Sequence, residues 1–309
     1  MIATRAKREP QQPIRLPYRK LILLALLQRF GGRLSNRDFQ KHLMLFTTEF
    51  GGRGSYDFVP YRFGGFSFQS YADRRSLVAT GLLVDTEDWQ LAKADSYAAM
   101  LTPEDKHGLV RLHEAFGKLR GRPLVRELYR RYPYYAINSE IAHEIMTHTE
   151  LAAIDQARPT DVDECLFTIG YEGISFDAYL SRLVANNIKL LCDVRRNPLS
   201  RKYGFSKSTL RDAVESLGIR YQHIPELGIS SDKRRTLETR ADYEKLFDDY
   251  ECTTIADSGD KIEEVAALLS LHKRIALTCF EADVCMCHRG RVVNALSRLP
   301  DPPSAIKHL

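Results

Sequence analysis

The sequence has no apolar run of about 18 residues, the length that a membrane-spanning helix requires. The longest apolar segment, "KLILLALLQRF", is shorter and is followed by a glycine pair, which is typical of a buried helix. The sequence therefore predicts no membrane partner.

The first residues, "MIATRAKREPQQPIRLP", are basic and contain proline, and they lack an apolar stretch behind the charges. A secretory signal needs such a stretch. We therefore expect a cytoplasmic protein in which residues 1–16 form a flexible basic arm.

Cysteine is sparse, with six in 309 residues, and Cys285 and Cys287 stand too close together to be obvious disulfide partners. In a reducing cytoplasm, cysteines are buried, reactive or bound to metal. Cys165, Cys192 and Cys252 are predicted to be small buried hydrophobic residues.

Dense blocks of lysine and arginine are also absent, but the charge is uneven. Residues 1–84 carry 14 Lys and Arg against 5 Asp and Glu, whereas the whole chain has a net charge of +5. This asymmetry favours contact of the N-terminal part with nucleic acid. Basic side chains that merely solvate helices remain the alternative.

Two patterns divide the chain at the polar segment "RPTDVDE", residues 158–164, which is predicted to be a linker. Before it, amphipathic helices surround the aromatic segment "YDFVPYRFGGFSFQ", which indicates a hairpin or wing. Residues 17–157 are therefore predicted to form a mainly helical, winged-helix-like domain that binds nucleic acid or a protein partner. This part resembles helical domains linked to bacterial antitoxins and defence proteins.

After the linker, the apolar segments "CLFTIG", "IKLLCD" and "RIALTC" and the segment "IRYQH" alternate with helical patterns. Residues 165–309 are therefore predicted to form an α/β domain, with a parallel sheet and helices on both faces. Ligands of such sheets bind beyond the carboxyl ends of the strands. Polar residues follow each predicted strand there: Tyr171; Asp193, Arg195 and Arg196; His223; and Cys279, Glu281, Cys287, His288 and Arg289.

Five blocks occur in order in this half: "TIGYEG", "DVRRNP", "GFSK", "HIPELG" and "CFEADVCMCHR". Over residues 165–299 they resemble the domain of unknown function 488 family. The resemblance implies the fold and a site, and it leaves the reaction open. It marks Tyr171, Asp193, Arg195, Pro198, His223, Leu227, Gly228, Cys279, Glu281, Cys287, His288 and Arg289. Cys285 departs from the pattern.

The segment "CFEADVCMCHRG" is predicted to be a catalytic turn that binds an anion. Cys287 and His288 stand at a predicted helix start, which favours anions and lowers the pKa of a thiol. Arg195, Arg196 and Arg289 supply forks suited to phosphate. Tyr171, Asp193, His223, Cys279, Glu281, Cys287 and His288 are the predicted catalytic residues.

Two other interpretations of this turn remain open. In the first, Cys279, Cys285, Cys287 and His288 bind zinc, although the spacing Cys-x5-Cys-x-Cys-His is not that of a zinc ribbon. In the second, the domain is a thiol enzyme of rhodanese or phosphatase type, since "LLCDVR" is similar to rhodanese strands. We favour the anion-binding turn over both alternatives. The site is therefore predicted to hold no metal and to need no cofactor.

A second basic segment, "SRKYGFSKS", interleaves aromatic residues with cations. Tyr203, Phe205 and Lys207 are predicted to stack on bases and bind phosphate. A mobile loop is the alternative.

These patterns together predict an enzyme that acts on nucleotides or DNA, by hydrolysis or base processing, in bacterial DNA repair or phage defence. The alternative is a non-catalytic sensor of nucleotides or nucleic acid. The sequence does not predict the bond broken or the oligomeric state.

Overall fold

The computed structural model describes residues 16–93, 95–230 and 239–309. The predicted arm of residues 1–16 lies outside this range, apart from Leu16. Within the described residues, no helix combines the length and the apolar character needed to cross a bilayer.

The N-terminal part is largely helical, as predicted, and contains four short strands. Its elements are α1 (Tyr18–Arg29), β1 (Arg33–Leu34), α2 (Asn36–Leu45), β2 (Val59–Tyr61), β3 (Gly64–Phe66), α3 (Phe68–Ala79), β4 (Trp89–Gln90), α4 (Pro103–Phe116), α5 (Gly121–Arg131), α6 (Ala142–Ile145) and α7 (His148–Gln156).

The aromatic segment forms the predicted hairpin, in which β2 and β3 pair antiparallel. The hairpin lies between α2 and α3, and β1 pairs with β4 beyond α3. Ser35 caps α2 by accepting a hydrogen bond from the Asp38 amide. The winged-helix assignment stays a prediction.

The C-terminal part is the predicted α/β unit. Its elements are β5 (Cys165–Gly170), α8 (Phe176–Ala185), β6 (Leu190–Asp193), α9 (Lys207–Ser216), β7 (Arg220–His223), α10 (Arg240–Tyr250), α11 (Gly259–His272), β8 (Arg274–Cys279), α12 (His288–Leu296) and β9 (Ile306–His308).

Its five strands pair in parallel in the order β7-β6-β8-β5-β9, which confirms the predicted fold class. Side chains alternate between the faces of a strand. In β5, Phe167 packs with the core under α8 and α9, whereas Leu166 packs with the core under α11 and α12. Helices therefore cover both faces of the sheet. The polar strand β9 was not predicted.

The two parts share a buried contact at the N-terminus of α3. The Asp177 carboxylate, in α8, accepts hydrogen bonds from the Phe68 amide at 2.6 Å, the Gln69 amide at 3.0 Å and the Ser67 hydroxyl at 3.1 Å. Val59 of the hairpin packs into the core under α8. One residue of the α/β unit thus satisfies the amides that open a helix of the N-terminal part.

We expect Asp177→Asn to lower the free energy of unfolding by about 1–3 kcal/mol, because an amide nitrogen would then face a buried N–H donor. Urea unfolding of the full chain measures this change. Asp57→Asn is the matched control, since Asp57 is exposed and accepts a hydrogen bond from Ser175 across the same contact. Equal midpoints for the two variants would show that the buried carboxylate does not stabilise the contact.

Candidate functional site

The carboxyl ends of β5, β6 and β8 meet at one edge of the sheet and border a cavity of about 300 Å³. Of the predicted catalytic and phosphate-binding residues, Tyr171, Arg195, Arg196, Cys279 and His288 line this cavity. Its other lining residues are Asn197, Leu199, Ser200, Arg201, Ile229 and Phe280. Asp193, His223 and Glu281 lie near the same edge and are not among the lining residues.

Asp193 and Arg195 form a buried ion pair at the end of β6. The guanidinium donates to both carboxylate oxygens, at 2.8 and 2.6 Å, and the Asp193 side chain is fully buried. Tyr221 also donates to this carboxylate, at 2.6 Å. Arg195 in turn donates to the Tyr171 hydroxyl at 3.0 Å and to the Phe205 carbonyl at 2.8 Å. Asp193 therefore positions Arg195, and the guanidinium ties three chain segments together.

The aromatic residues predicted to stack on bases pack inside the protein instead. Phe205 is fully buried and stacks on Tyr171, with ring centroids 4.1 Å apart. Tyr203 is half-buried, and its hydroxyl donates to the Phe68 carbonyl of the N-terminal part at 3.2 Å. Neither ring is placed to stack on a ligand in the cavity.

His223 and Lys207 lie beside the carboxyl end of β6. His223 Nε2 donates to the Arg195 carbonyl at 2.9 Å, which leaves Nδ1 to accept from Lys207 Nζ at 2.8 Å. His223 thus fixes the backbone of Arg195, and Lys207 is held by the imidazole.

Four side chains of the predicted turn converge at the end of β8: Cys279, Glu281, Cys287 and His288. Cys279 Sγ lies 3.2 Å from Glu281 Oε2 and 3.5 Å from His288 Nδ1, and Cys287 Sγ lies 3.9 Å from that nitrogen. One ligand-type atom from each residue lies within 4.8 Å of all the others. These are the residues of the site that could hold a metal ion.

His288 has a defined orientation in this cluster. Its Nε2 lies 3.0 Å from the Val194 carbonyl, which can only accept, so Nε2 carries the proton. Nδ1 then presents its lone pair to the sulfur atoms. His288 is buried, and the first turn of α12 holds it there.

Burial, together with a hydrogen bond that the Cys287 thiol donates to Cys279, holds the pKa of the Cys287 thiol well above its ordinary value. The sequence predicted the opposite shift, from the helix start. Burial removes water from the thiolate and so disfavours its charged form. The geometry alone therefore does not activate Cys287 as a nucleophile.

Arg289 does not line the cavity. Its guanidinium is buried and donates to the carbonyl of Glu281 at 2.6 Å and to that of Ala282 at 2.9 Å. The role that the structure gives Arg289 is to brace the loop that carries Glu281.

The other cysteines are separate from this cluster. Cys165 and Cys192 are buried as predicted, whereas Cys252 is exposed, because the turn after α10 lies at the surface. Cys285 belongs to the same loop as the cluster and is also exposed.

Residues 175–296 match a family model. The family is Domain of unknown function DUF488. The match confirms the resemblance seen in the sequence, and the matched residues run from the start of α8 to the end of α12. The DUF488-like part therefore includes all four residues of the cluster, whereas Tyr171 precedes it. No curated protein and no solved structure matches the chain.

Ser200, Arg201 and Phe280 line the cavity of the DUF488-like part, but they were not among the predicted site residues. Phe280 directly follows the end of β8, which is a positional signal, whereas Ser200 and Arg201 lie seven and eight residues beyond the end of β6. Residue type favoured other positions, such as aromatic residues flanked by cations.

Proposed function

We propose that the α/β unit is an enzyme that acts on nucleotides or nucleic acid at the carboxyl edge of its sheet. One observation carries this proposal: a single cavity is bordered by two exposed guanidinium groups and by an exposed aromatic ring. The guanidinium groups belong to Arg196 and Arg201, and the ring belongs to Phe280, which is 43 % exposed.

The arginines suit the phosphate of such a substrate. A guanidinium donates two parallel hydrogen bonds to phosphate and stays charged at every physiological pH. Arg196 is exposed and donates to the Pro225 carbonyl at 3.4 Å, which leaves most of its N–H donors for a ligand. Arg195 also lines the cavity, but its charge is offset by the paired Asp193 carboxylate.

Phe280 supplies the stacking surface that Phe205 does not. Phe280 lines the cavity, and its ring lies at 80° to that of Tyr171, with centroids 5.3 Å apart. Stacking of a base on an aromatic ring contributes about 1–3 kcal/mol and tolerates every base. A base on Phe280 and a phosphate on Arg201 would place the rest of the nucleotide across the cavity.

Proton transfer would fall to Glu281 and His288, which belong to the cluster at the end of β8. A carboxylate and an imidazole are the usual groups for general acid–base catalysis. Cys279 and His288 line the cavity directly, so this chemistry adjoins the proposed phosphate position.

The N-terminal part offers a second contact for nucleic acid. A cavity of about 290 Å³ is lined by Arg37 and Arg62 together with Tyr61 and Phe63. Lys41 also lines it, but this side chain is buried, donates to the Gly65 carbonyl, and has its pKa lowered to about 7 by burial. The Arg37 guanidinium lies 4.4 Å from the centre of the Phe63 ring. Cations and rings combined in this way are typical of single-strand binding.

The test is calorimetric binding of nucleoside monophosphates, nucleoside triphosphates and a short oligonucleotide to the full chain, with inorganic phosphate alongside. We expect Arg201→Ala to weaken nucleotide binding about tenfold, the equivalent of 1.4 kcal/mol. Phe280→Ala should weaken nucleotide binding and leave phosphate binding unchanged. Arg211→Ala is the matched control, because Arg211 is exposed on α9 and pairs with Asp212.

Product analysis then separates the enzyme from the sensor. Turnover that Glu281→Gln abolishes, with binding retained, supports the enzyme. Binding without any product would select the non-catalytic sensor. Wild-type protein that binds none of these ligands, or Phe280→Ala protein that binds nucleotides as the wild type does, would contradict the cavity as a nucleotide site.

A further inference from the structure

We infer that Cys279, Glu281, Cys287 and His288 form a zinc site at the end of β8. The two thiols, the carboxylate and the imidazole are the ligand types that zinc takes in proteins. Three of the four residues are buried, and the fourth, Glu281, is partly buried.

Three of the six separations among the four atoms are close to those of one tetrahedral ion, and all six are within 4.8 Å. Bond lengths of about 2.3 Å to sulfur and 2.0–2.1 Å to nitrogen and oxygen make the edges of such a tetrahedron about 3.3–3.8 Å. The observed separations are 3.2 Å between Cys279 and Glu281, 3.5 Å between Cys279 and His288, and 3.9 Å between Cys287 and His288. Shifts of a few tenths of an ångström would bring all three to the expected edges.

Adjacent ligands meet here because the backbone changes direction between them. Cys287 is extended, with φ −136° and ψ 140°, and it caps α12, whereas His288 is the first residue of the helix. This junction turns consecutive side chains toward one point. Cys287 and His288 can therefore bind one ion although they are adjacent in the sequence.

The surroundings orient the ligands as they do around zinc. Metal-bound histidines almost always donate their second N–H to a carbonyl or carboxylate. His288 does so through Nε2 and the Val194 carbonyl at 3.0 Å. Arg289 holds the backbone of Glu281 in place through its carbonyl at 2.6 Å.

Arg289 also suits the charge of the site. Two thiolates and a carboxylate bring three negative charges, and a zinc ion offsets two of them. The guanidinium bonded next to Glu281 balances the remainder, so it complements the loaded site.

This inference goes beyond the proposed function and changes one part of it: with zinc bound, Glu281 and His288 are ligands and do not transfer protons. Binding of a nucleotide in the cavity does not depend on the ion. Cys279 and His288 both line the cavity, so the ion would stand at its wall.

The test is the metal content of the purified full chain, measured by mass spectrometry after exposure to zinc and desalting. We expect about one zinc per chain in the wild type. Cys279→Ser and Cys287→Ser should lose it. Cys285→Ser is the matched control, because this exposed thiol in the same loop is outside the cluster, and it should retain the ion.

Cobalt binding to the wild-type protein tests the site even where a cysteine variant fails to fold. Wild-type protein loaded with cobalt should show thiolate-to-metal charge-transfer absorption and the visible bands of a tetrahedral ion. Glu281→Gln keeps the size of the side chain, and it should lower zinc affinity at least tenfold while the thiolate bands persist.

Two results would overturn the site. One is a wild type that holds neither zinc nor cobalt after desalting. The other is Cys279→Ser and Cys287→Ser proteins with wild-type metal content. Neither measurement needs a substrate, so its outcome is independent of whether the cavity binds nucleotides.

Discussion

Arg195→Ala should lower the free energy of unfolding by about 3–5 kcal/mol, because it leaves the Asp193 carboxylate buried without its cation. Asp193 is fully buried, and Arg195 reaches both of its oxygens. The same substitution removes the hydrogen bonds to Tyr171 and Phe205, which join the ends of β5 and β6 to the loop before α9. Chemical denaturation of the purified chain measures the loss.

Arg196→Ala is the matched control for this prediction. Arg196 is the next residue and is exposed, so its removal should change stability by no more than about 0.5 kcal/mol. The double variant Asp193→Asn/Arg195→Met should recover part of the lost stability, because neither charge then remains buried. Equal stability of Arg195→Ala and Arg196→Ala would show that the buried Asp193–Arg195 pair does not stabilise the fold.

Gly170→Ala should displace the loop that carries Glu281 and disrupt the cluster. A Cβ at Gly170 would lie 1.8 Å from the Glu281 carbonyl oxygen and 2.6 Å from its carbon. These are backbone atoms, so no side-chain rotation relieves the overlap. The loop would have to move away from Gly170. This movement would break the hydrogen bonds that the Tyr171 and Glu172 amides donate to the Phe280 carbonyl.

We expect Gly170→Ala to lower the free energy of unfolding by at least about 1–3 kcal/mol. Hydrogen exchange should show the amides of Tyr171 and Glu172 losing their protection. Gly259→Ala is the control, because a Cβ there would meet nothing within 4 Å at the start of α11. Unchanged exchange in Gly170→Ala would mean that the loop accommodates the methyl group without moving.

The sequence predicted the sheet because its strands carry a local signal. The β8 strand, "RIALTC", is buried at every position, as its continuous apolar run indicates. The β9 strand is only three residues long and is exposed at every position, so no such signal exists for it. Whether neighbouring strands pair is also not local, and the position of β8 between β5 and β6 follows from packing alone.

The candidate site was predicted by residue type and only partly by geometry. Cys279, Glu281, Cys287 and His288 were selected together, since all follow one strand end. Their convergence depends on the backbone angles of one residue, which residue type does not determine. The direction of Arg289 depends on where two carbonyl groups of a folded loop come to lie. The burial of Phe205 depends likewise on the α8 helix that packs over it.

The strand order also bears on how the chain is made. β8 separates β5 from β6, and each of these strands pairs with it along its length. In a nascent chain that has emerged only through residue 273, β6 and β7 are present and β8 is not. Strand β5 then still lacks β8, its neighbour in the sheet. Long-range pairing of this kind is slow and leaves strand edges open during synthesis. Strand β8 joins β5 to β6 and ends in Cys279, the first residue of the cluster. The sheet and the cluster are therefore completed together, after β5, β6 and β7 have been made.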